Sequence, residues 1–455
     1  GSEMCIRDRV NNKQEEKMGT LKVGDTVKMK YGGEAKVLAE FGSGGQGTVY
    51  KVSYNGKEYA LKWYHKGVFG GKEQEFYKNL ENNIQKGAPT KAFLWPKGIT
   101  DVHAGVFGYI MDVRPAGYYE LTEFFVGTKK QKQVHFKSFT AVVDAAINII
   151  QGFRELHNSG YSYQDINNGN FFINPENGDV LICDNDNVSP YGVNLGILGK
   201  QRYMAPEVVT GKNDPDKQSD RFSLAVILFR LLFINHPLEG RRSTPPCMTK
   251  ELERRYYGEE PVFVYDPNDD RNRPVPGTDK NLKTFWHIYP IYIRKLFERA
   301  FSNDVMMKKQ PRIIEKEWLD GFFRLKASIV KCPHCKEETF ITQQGENTCI
   351  ECGKMILVQN AIQFSTVTLP LYPGTKLMLW HADSSQNDVE STLGLVVANP
   401  NEPNVYGIKN TSKISWKVNL PSGNQKPLAS GAVVPIKKDF VIECTNNPKD
   451  AGTII

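Results

Sequence analysis

The stretch YSYQDINNGN (residues 161–170) decides how this chain is read. It offers one carboxylate, Asp165, and an amide, Asn170, five residues on. A long amphipathic helical pattern, FTAVVDAAINIIQGFRELHNSG (139–160), precedes it, and the apolar run FFI follows. Asp-Asn-Gly clusters are good turn formers, so the segment alone is open to two readings. It is an ordinary turn, or it presents Asp165 to a hydroxyl proton and Asn170 as a neutral oxygen ligand for a metal.

The surroundings bear on that choice. Fourteen residues beyond Asn170, an apolar strand in VLICDNDNV (180–188) ends on Asp184. A hard oxygen ligand for Mg²⁺ would be presented there. Upstream, FGSGGQGTVYKV (41–52) spaces Gly42, Gly44 and Gly47 as G-x-G-x-x-G. The glycines lie between two strand patterns, AKVLAEF and TVYKVSY, so they form a hairpin tip and not the strand-to-helix turn of a dinucleotide site. Glycine lets backbone N–H groups close over phosphates without side-chain clash. Val49 is apolar and placed to cover a base. Asn55-Gly56 turns the chain into KEYALKWY (57–64), where alternation puts Ala60 and Lys62 on one face.

An isolated strand lysine is usually a surface residue. Beneath a glycine loop, Lys62 would be half buried and paired with phosphate oxygens. It also needs a carboxylate partner on the following helix, expected over 73–86. The apolar face there is Phe76, Tyr77, Leu80 and Ile84; at about 100° per residue Glu73 falls within it and Glu75 outside. Glu73 is the expected partner, with Glu75 as the alternative.

With these residues in place, the stretch from about 35 to 325 resembles a eukaryotic-type protein kinase domain. GSGGQGTVY is similar to its glycine-rich loop, YALK to its Val-Ala-Ile-Lys strand and YQDINNGN to its His-Arg-Asp catalytic loop. CDND stands where Asp-Phe-Gly is expected, and YMAPEVV matches Ala-Pro-Glu. The resemblance implies a bilobal α+β fold, ATP with Mg²⁺ or Mn²⁺, and transfer of the γ-phosphate to Ser/Thr hydroxyls of protein substrates. Lys62 would hold the α/β-phosphates, Asp165 would orient the hydroxyl, and Asn170 and Asp184 would hold the metal. Gly42, Gly44, Gly47, Val49, Ala60 and Glu73 would line the nucleotide site, with Met111 as gatekeeper and Asp112, Val113 and Arg114 as hinge. Glu207, Asp220 (in SDRFSLAVILFRLLFINHP) and Arg312 would be structural, Arg312 pairing with Glu207.

Four departures stand out. Tyr163-Gln164 replaces His-Arg, so control through an arginine and a phosphorylated activation loop should be absent. Asn167 stands where a lysine is usual near the transferred phosphate; Lys200 stands where a threonine is typical and is the candidate to compensate. Asn185-Asp186 replaces Phe-Gly, and Asp186 is read as a possible extra metal ligand. The alternative to an active enzyme is a nucleotide-binding pseudokinase scaffold that docks partners through its C-terminal domains.

Beyond 328, CPHC (Cys332, Cys335) and CIEC (Cys349, Cys352) supply four thiolates in two tight pairs, which suit tetrahedral Zn²⁺. His334 reads as solvent-facing. The segment resembles a zinc ribbon. It lacks a dense basic and aromatic face, so nucleic acid is not an expected partner. After about 361 the chain becomes strand-like, and from LYPGTKLMLWH to AGTII (371–455) it reads as about seven short strands with regular turn signals. This tail loosely resembles the later strands of a forkhead-associated domain, but the Gly-Arg and Ser-x-x-His motifs of phosphothreonine readers do not stand clearly here. Kinase, ribbon and such a tail in this order are similar to bacterial kinases that accompany von Willebrand-type proteins and metal-dependent phosphatases in tellurite-resistance and stress systems.

The expected domains are a leader (1–18), an N-lobe (19–113), a C-lobe (114–328), the ribbon (329–358) and a β-sandwich-like domain (361–455). Gly1-Ser2 reads as a cloning remnant. With 58 Lys and Arg against 51 Asp and Glu, the net charge of +7 is mild and demands no acidic partner. The most apolar window, FSLAVILFRLLFI (222–234), is too short to span a bilayer and contains Arg230. The cysteine usage fits a reducing, cytoplasmic compartment.

Overall fold

The computed structural model describes residues 20–125, 133–243, 247–383, 385, 388 and 390–455; the leader expected over 1–18 lies outside them. The N-terminal lobe is a six-stranded antiparallel sheet. Its strands are β1 (Thr26–Lys28), β2 (Glu34–Ser43), β3 (Gly47–Tyr54), β4 (Lys57–Tyr64), β5 (Gly98–Ile99) and β6 (Gly108–Met111), in the order β1-β2-β3-β4-β6-β5. Asn55 and Gly56 both take positive φ (49° and 75°), the geometry that closes a tight hairpin between β3 and β4. Alternation along β4 sends Leu61 and Trp63 into one apolar cluster with Val37, Tyr50 and Val52. Ala60 and Tyr64 join the opposite cluster, with Phe76 and Leu80 of helix α1 (Glu73–Lys86). Lys62 therefore lies on the face that α1 covers.

The larger lobe is helical. Helix α2 (Phe139–Asn158) starts on Ser138, whose Oγ accepts the Ala141 N–H, and buries its apolar stripe against α3 (Lys217–Phe233). Helix α3 is buried nearly all round, as its apolar sequence requires, and so forms the lobe's centre rather than a membrane span. Among the described residues no helix is long and apolar enough to cross a membrane. Two short strands, β7 (Phe171–Ile173) and β8 (Val180–Ile182), pair antiparallel beneath the cleft between the lobes.

Two small hairpins follow, β9 (Ile329–Lys331) with β10 (Glu338–Phe340) and β11 (Gly345–Thr348) with β12 (Met355–Val358). The tail then forms two sheets. One orders Thr368–Leu371, Asn360–Gln363, Gly452–Ile454, Val441–Glu443, Trp416–Asn419 and Gln425–Leu428; the other orders Lys376–Met378, Thr392–Ala398, Tyr406–Asn410 and Val433–Pro435. Trp416 and Ile442 of the first meet Leu377, Val396 and Ile408 of the second in one core. Among the described residues eight of these strands lie beyond Leu371, where about seven were expected, and Asn360–Gln363 and Thr368–Leu371 precede them. Several are three residues long, too short for alternation to register in sequence.

Candidate active site

The cleft is built from cross-strand register. Val49 of β3, Lys62 of β4 and Tyr109 of β6 are successive partners across the sheet, and Ala60 pairs with Met111. Val49, Ala60 and Met111 form the roof of an apolar cluster. Its floor is Phe172 and Leu181, which are partners in the β7–β8 ladder. Phe172 and Leu181 were missed from sequence. Each is the middle residue of a three-residue strand whose neighbours face the lobe core, so strict alternation could have found them. At the back, Asp112 is exposed and ion-paired with Lys97, Val113 is half buried, and the Arg114 guanidinium sits 4.2 Å from the Phe172 ring centroid.

The three loop glycines differ in what requires them. A Cβ at Gly47 would sit 2.3 Å from the Trp63 carbonyl oxygen, so the approach of β3 to β4 excludes any larger residue. A Cβ at Gly42 would meet nothing within 4 Å, and at Gly44 only the Gly47 carbonyl at 3.9 Å. At those two positions the protein itself leaves open space above the backbone, which suits approach by a phosphate chain.

Lys62 is 5 % exposed. Its Nζ donates to Asp186 Oδ2 (2.9 Å), Gln46 Oε1 (3.1 Å) and Asp184 Oδ1 (3.4 Å). Burial alone would lower its pKa, but the two carboxylates outweigh it and raise the value above that of an ordinary lysine. The expected partner is not there. Glu73 is the first residue of α1 and makes no bond to Lys62, nor does Glu75. What α1 turns inward is Phe76, Asn79, Leu80 and Asn83, and both asparagines donate from Nδ2 to the Val188 carbonyl (2.9 and 2.8 Å). The expectation of Asp186 as a further metal ligand fails too. Asp186 is fully buried, and its oxygens accept from Lys62, Tyr64 and Tyr109.

The loop that opened the sequence reading is held from below. Asp220 of α3 accepts the backbone N–H groups of Tyr163 (2.6 Å) and Gln164 (2.9 Å), while Gln164 takes a positive φ of 70°. Tyr163 is buried, and its hydroxyl donates to the Cys183 carbonyl, tying this loop to the turn that carries Asp184. Gln164 Nε2 donates to the Val193 carbonyl (2.6 Å), and its Oε1 accepts from Asn194 (3.0 Å). Asn167 Nδ2 donates to Asp165 Oδ1 (3.1 Å). Burial pushes the Asp165 carboxyl up to about 6; Asn167 and Lys62 pull the other way, and the Asp184 charge adds to the rise.

Asn170 Nδ2 donates to the Asp165 carbonyl (3.0 Å), which leaves Oδ1 as the amide atom available to a metal. Asp184 takes a left-handed conformation (φ 54°) that turns it away from its buried neighbours; its side chain is 39 % exposed. A neutral oxygen on the buried Asn170 and an anionic one on the half-exposed Asp184 are the donor types that suit a hard cation which keeps several waters. Lys200 Nζ donates to Asn168 Oδ1 (3.2 Å), which places it beside the same loop.

The family description "Protein kinase domain" matches residues 35–259. Residues 35–259 are thus similar to protein kinase domains. Similar proteins include a probable serine/threonine-protein kinase of Dictyostelium discoideum, 30 % identical over 200 residues, covering 42 % of this chain and 19 % of the relative. The G protein-coupled receptor kinase 2 of Caenorhabditis elegans is 27 % identical (44 % and 28 %), and the dual specificity protein kinase shkB of Dictyostelium discoideum is 24 % identical (59 % and 38 %). The chain thus spans well under half the length of these relatives.

Within the larger lobe, Glu207 and Arg312 form a buried bidentate pair, Nη1–Oε1 2.8 Å and Nη2–Oε2 2.7 Å. Arg312 also donates to the Gln218 and Met306 carbonyls. Outside that lobe, the thiols of Cys332, Cys335, Cys349 and Cys352 lie within 4.8 Å of one another. Cys332 to Cys352 is 3.8 Å and Cys335 to Cys349 is 3.7 Å. Four sulfurs at Zn–S bonds of ~2.3 Å in a tetrahedron lie about 3.8 Å apart, so the donor set and its spacing fit Zn²⁺. Each CxxC is followed by a residue in the left-handed region, Lys336 (φ 67°) and Gly353 (φ 68°), which returns the chain so that backbone bonds close each knuckle. His334 is exposed and stands apart from the cluster.

Proposed function

We infer that this chain is an ATP- and Mg²⁺-dependent protein kinase acting on Ser or Thr hydroxyls, with a structural Zn²⁺ in its ribbon. The observation that carries this reading is the convergence of Lys62, Asp165, Asn170 and Asp184 on one cleft with an apolar roof and floor. The adenine ring would lie between Val49, Ala60 and Met111 above and Phe172 and Leu181 below. Lys62 would hold α/β-phosphate oxygens, replacing its contact with Gln46. Asn170 Oδ1 and the Asp184 carboxylate would hold the metal, whose bound form would neutralise charge on the β- and γ-phosphates. Asp165 would orient the attacking hydroxyl and receive its proton as the new O–P bond forms and ADP departs. Lys200, already at the loop, is positioned to meet the transferred phosphate in place of the usual lysine.

Phosphotransfer from labelled ATP to a generic acceptor, with mass spectrometry of the protein itself for autophosphorylation, is the direct test. Asp165→Ala should lower transfer by about 10²–10⁴-fold. Equal transfer by wild type and Asp165→Ala would remove the reading. Stabilisation by Mg²⁺ and ATP that depends on Asp184, without transfer, would identify a pseudokinase scaffold instead. The order of kinase, ribbon and β-tail supports work in a bacterial stress-signalling system with von Willebrand-type and phosphatase partners. Co-purification of such partners with the full chain, lost on deletion of residues 361–455, is the corresponding test.

A further inference from the structure

Lys62 and Asp186 form the most deeply buried ion pair in the cleft, at 2.9 Å with side chains 6 % and 1 % exposed. Asp186 is fixed in turn. Its Oδ2 also accepts from the Tyr64 hydroxyl (2.6 Å) and its Oδ1 from the Tyr109 hydroxyl (3.3 Å), and both rings are buried. Tyr64 lies two residues beyond Lys62 on the same strand face, and Tyr109 is the cross-strand partner of Lys62. Lysine and both tyrosines thus come from one sheet, while the carboxylate comes from the turn Asn185–Asn187. That turn is anchored by Asn185 Nδ2, which donates to the Leu94 and Ile182 carbonyls.

Helix α1 offers no competing carboxylate. Glu73 and Glu75 are in its first turn, and Glu81 bonds Lys30 and Tyr31. The helix meets the Asp184 turn through the neutral amides of Asn79 and Asn83.

We propose that Asp186 is the positioning residue of Lys62, supplying from the metal-binding turn the carboxylate expected from the helix. This rests on the nucleotide site described under Proposed function and deepens it. One consequence is regulatory. A lysine paired to the helix is disarmed when the helix swings out; here the pairing lies between sheet and turn, so displacement of α1 leaves Lys62 in place. Displacement of the turn removes the metal ligand Asp184 and the partner of Lys62 together.

The test is a double-mutant cycle read by calorimetric binding of Mg·ADP, which requires no phosphotransfer. Asp186→Asn keeps the size and removes the charge; Lys62→Met removes the contact. Each is expected to weaken binding about tenfold or more, the scale of a lost charged hydrogen bond. The double variant should be no weaker than Lys62→Met alone, because Asp186 acts through Lys62. Losses that multiply, or a loss for Glu73→Gln with none for Asp186→Asn, would overturn the proposal. Asp186→Glu should restore part of the affinity. If Asp186→Asn does not fold, Tyr64→Phe removes one donor to the carboxylate and is expected to weaken binding measurably, whereas Tyr77→Phe on α1 is not; equal affinities for the two would overturn the proposal. A wild-type chain that binds Mg·ADP with this coupling but transfers no phosphate would defeat only the activity reading.

Discussion

At the scale of single residues, the interior of the larger lobe is organised by a few buried charges whose partners are far apart in sequence. Both ring nitrogens of His157 face carboxylates, Glu315 at 2.8 Å and Asp220 at 3.2 Å, and Glu315 also accepts from Arg221. Burial would lower the His157 pKa, but the two carboxylates outweigh it and raise it; burial likewise opposes, and His157 and Arg221 drive, a fall of the Glu315 carboxyl to about 2. A raised histidine contributes stability fully present below its unfolded value of about 6.5 and lost as pH rises through the folded one. The Glu315 contribution is present above its ordinary value of 4.5 and is lost as pH falls toward about 2. The gap in Tm between wild type and His157→Gln should therefore be wide at pH 6 and narrow by pH 9; a gap constant with pH would show that the ring is not charged in the fold. Breaking the Glu207–Arg312 pair is a second case. Arg312→Ala strands a buried carboxylate and should cost about 3–5 kcal/mol in denaturant unfolding, with a Glu207→Met/Arg312→Met double variant recovering much of it.

At the scale of elements, uncharged contacts tie the Asp165 loop to residues 193 and 194. Gln164 reaches Val193 and Asn194 by direct hydrogen bonds, where an arginine would require a phosphate. Activity should be unchanged by phosphatase treatment, and Gln164→Ala should speed hydrogen exchange across residues 191–200; a phosphatase-sensitive enzyme would contradict this. Gly47→Ala is expected to unseat the β3–β4 pairing and lower stability, because the obstruction is the Trp63 carbonyl, which cannot move aside. The β3–β4 hairpin, α1 and α2 were legible in sequence, since their signals are local: a turn dipeptide and a 3.6-residue stripe. Which side chain of α1 faces Lys62 was not. Periodicity put Glu73 on the apolar face, yet Glu73 begins the helix, and only packing determines which turn of α1 lies opposite β4.

At the scale of the whole molecule, the cysteine-bearing hairpins and the tail are packed onto the larger lobe. Glu338 of β10 accepts both the N–H and the hydroxyl of Thr140 (2.9 Å each), so the first hairpin closes the N-terminus of α2. Phe340 packs against Phe139 and Tyr289, and Gln151 of α2 bonds Glu390 of the tail (2.7 Å). Elemental analysis should find one Zn²⁺ per chain, and chelation or Cys335→Ser should lower Tm and expose the first turn of α2 to hydrogen exchange. A chain without zinc whose Tm is insensitive to chelator would remove the structural metal. By itself the sequence determined the glycine hairpin, Lys62, the Asp165 and Asn170 loop, Asp184 and the two CxxC pairs, because each is a short pattern in which residue type and spacing carry the chemistry. Only the tertiary structure decided that Asp186, and not Glu73, meets Lys62, that Phe172 and Leu181 floor the cleft, and that the strands of the tail sort into two sheets over one core. A buried charge takes whichever partner the packing brings within hydrogen-bond reach, and that distance is set by elements far apart in the chain.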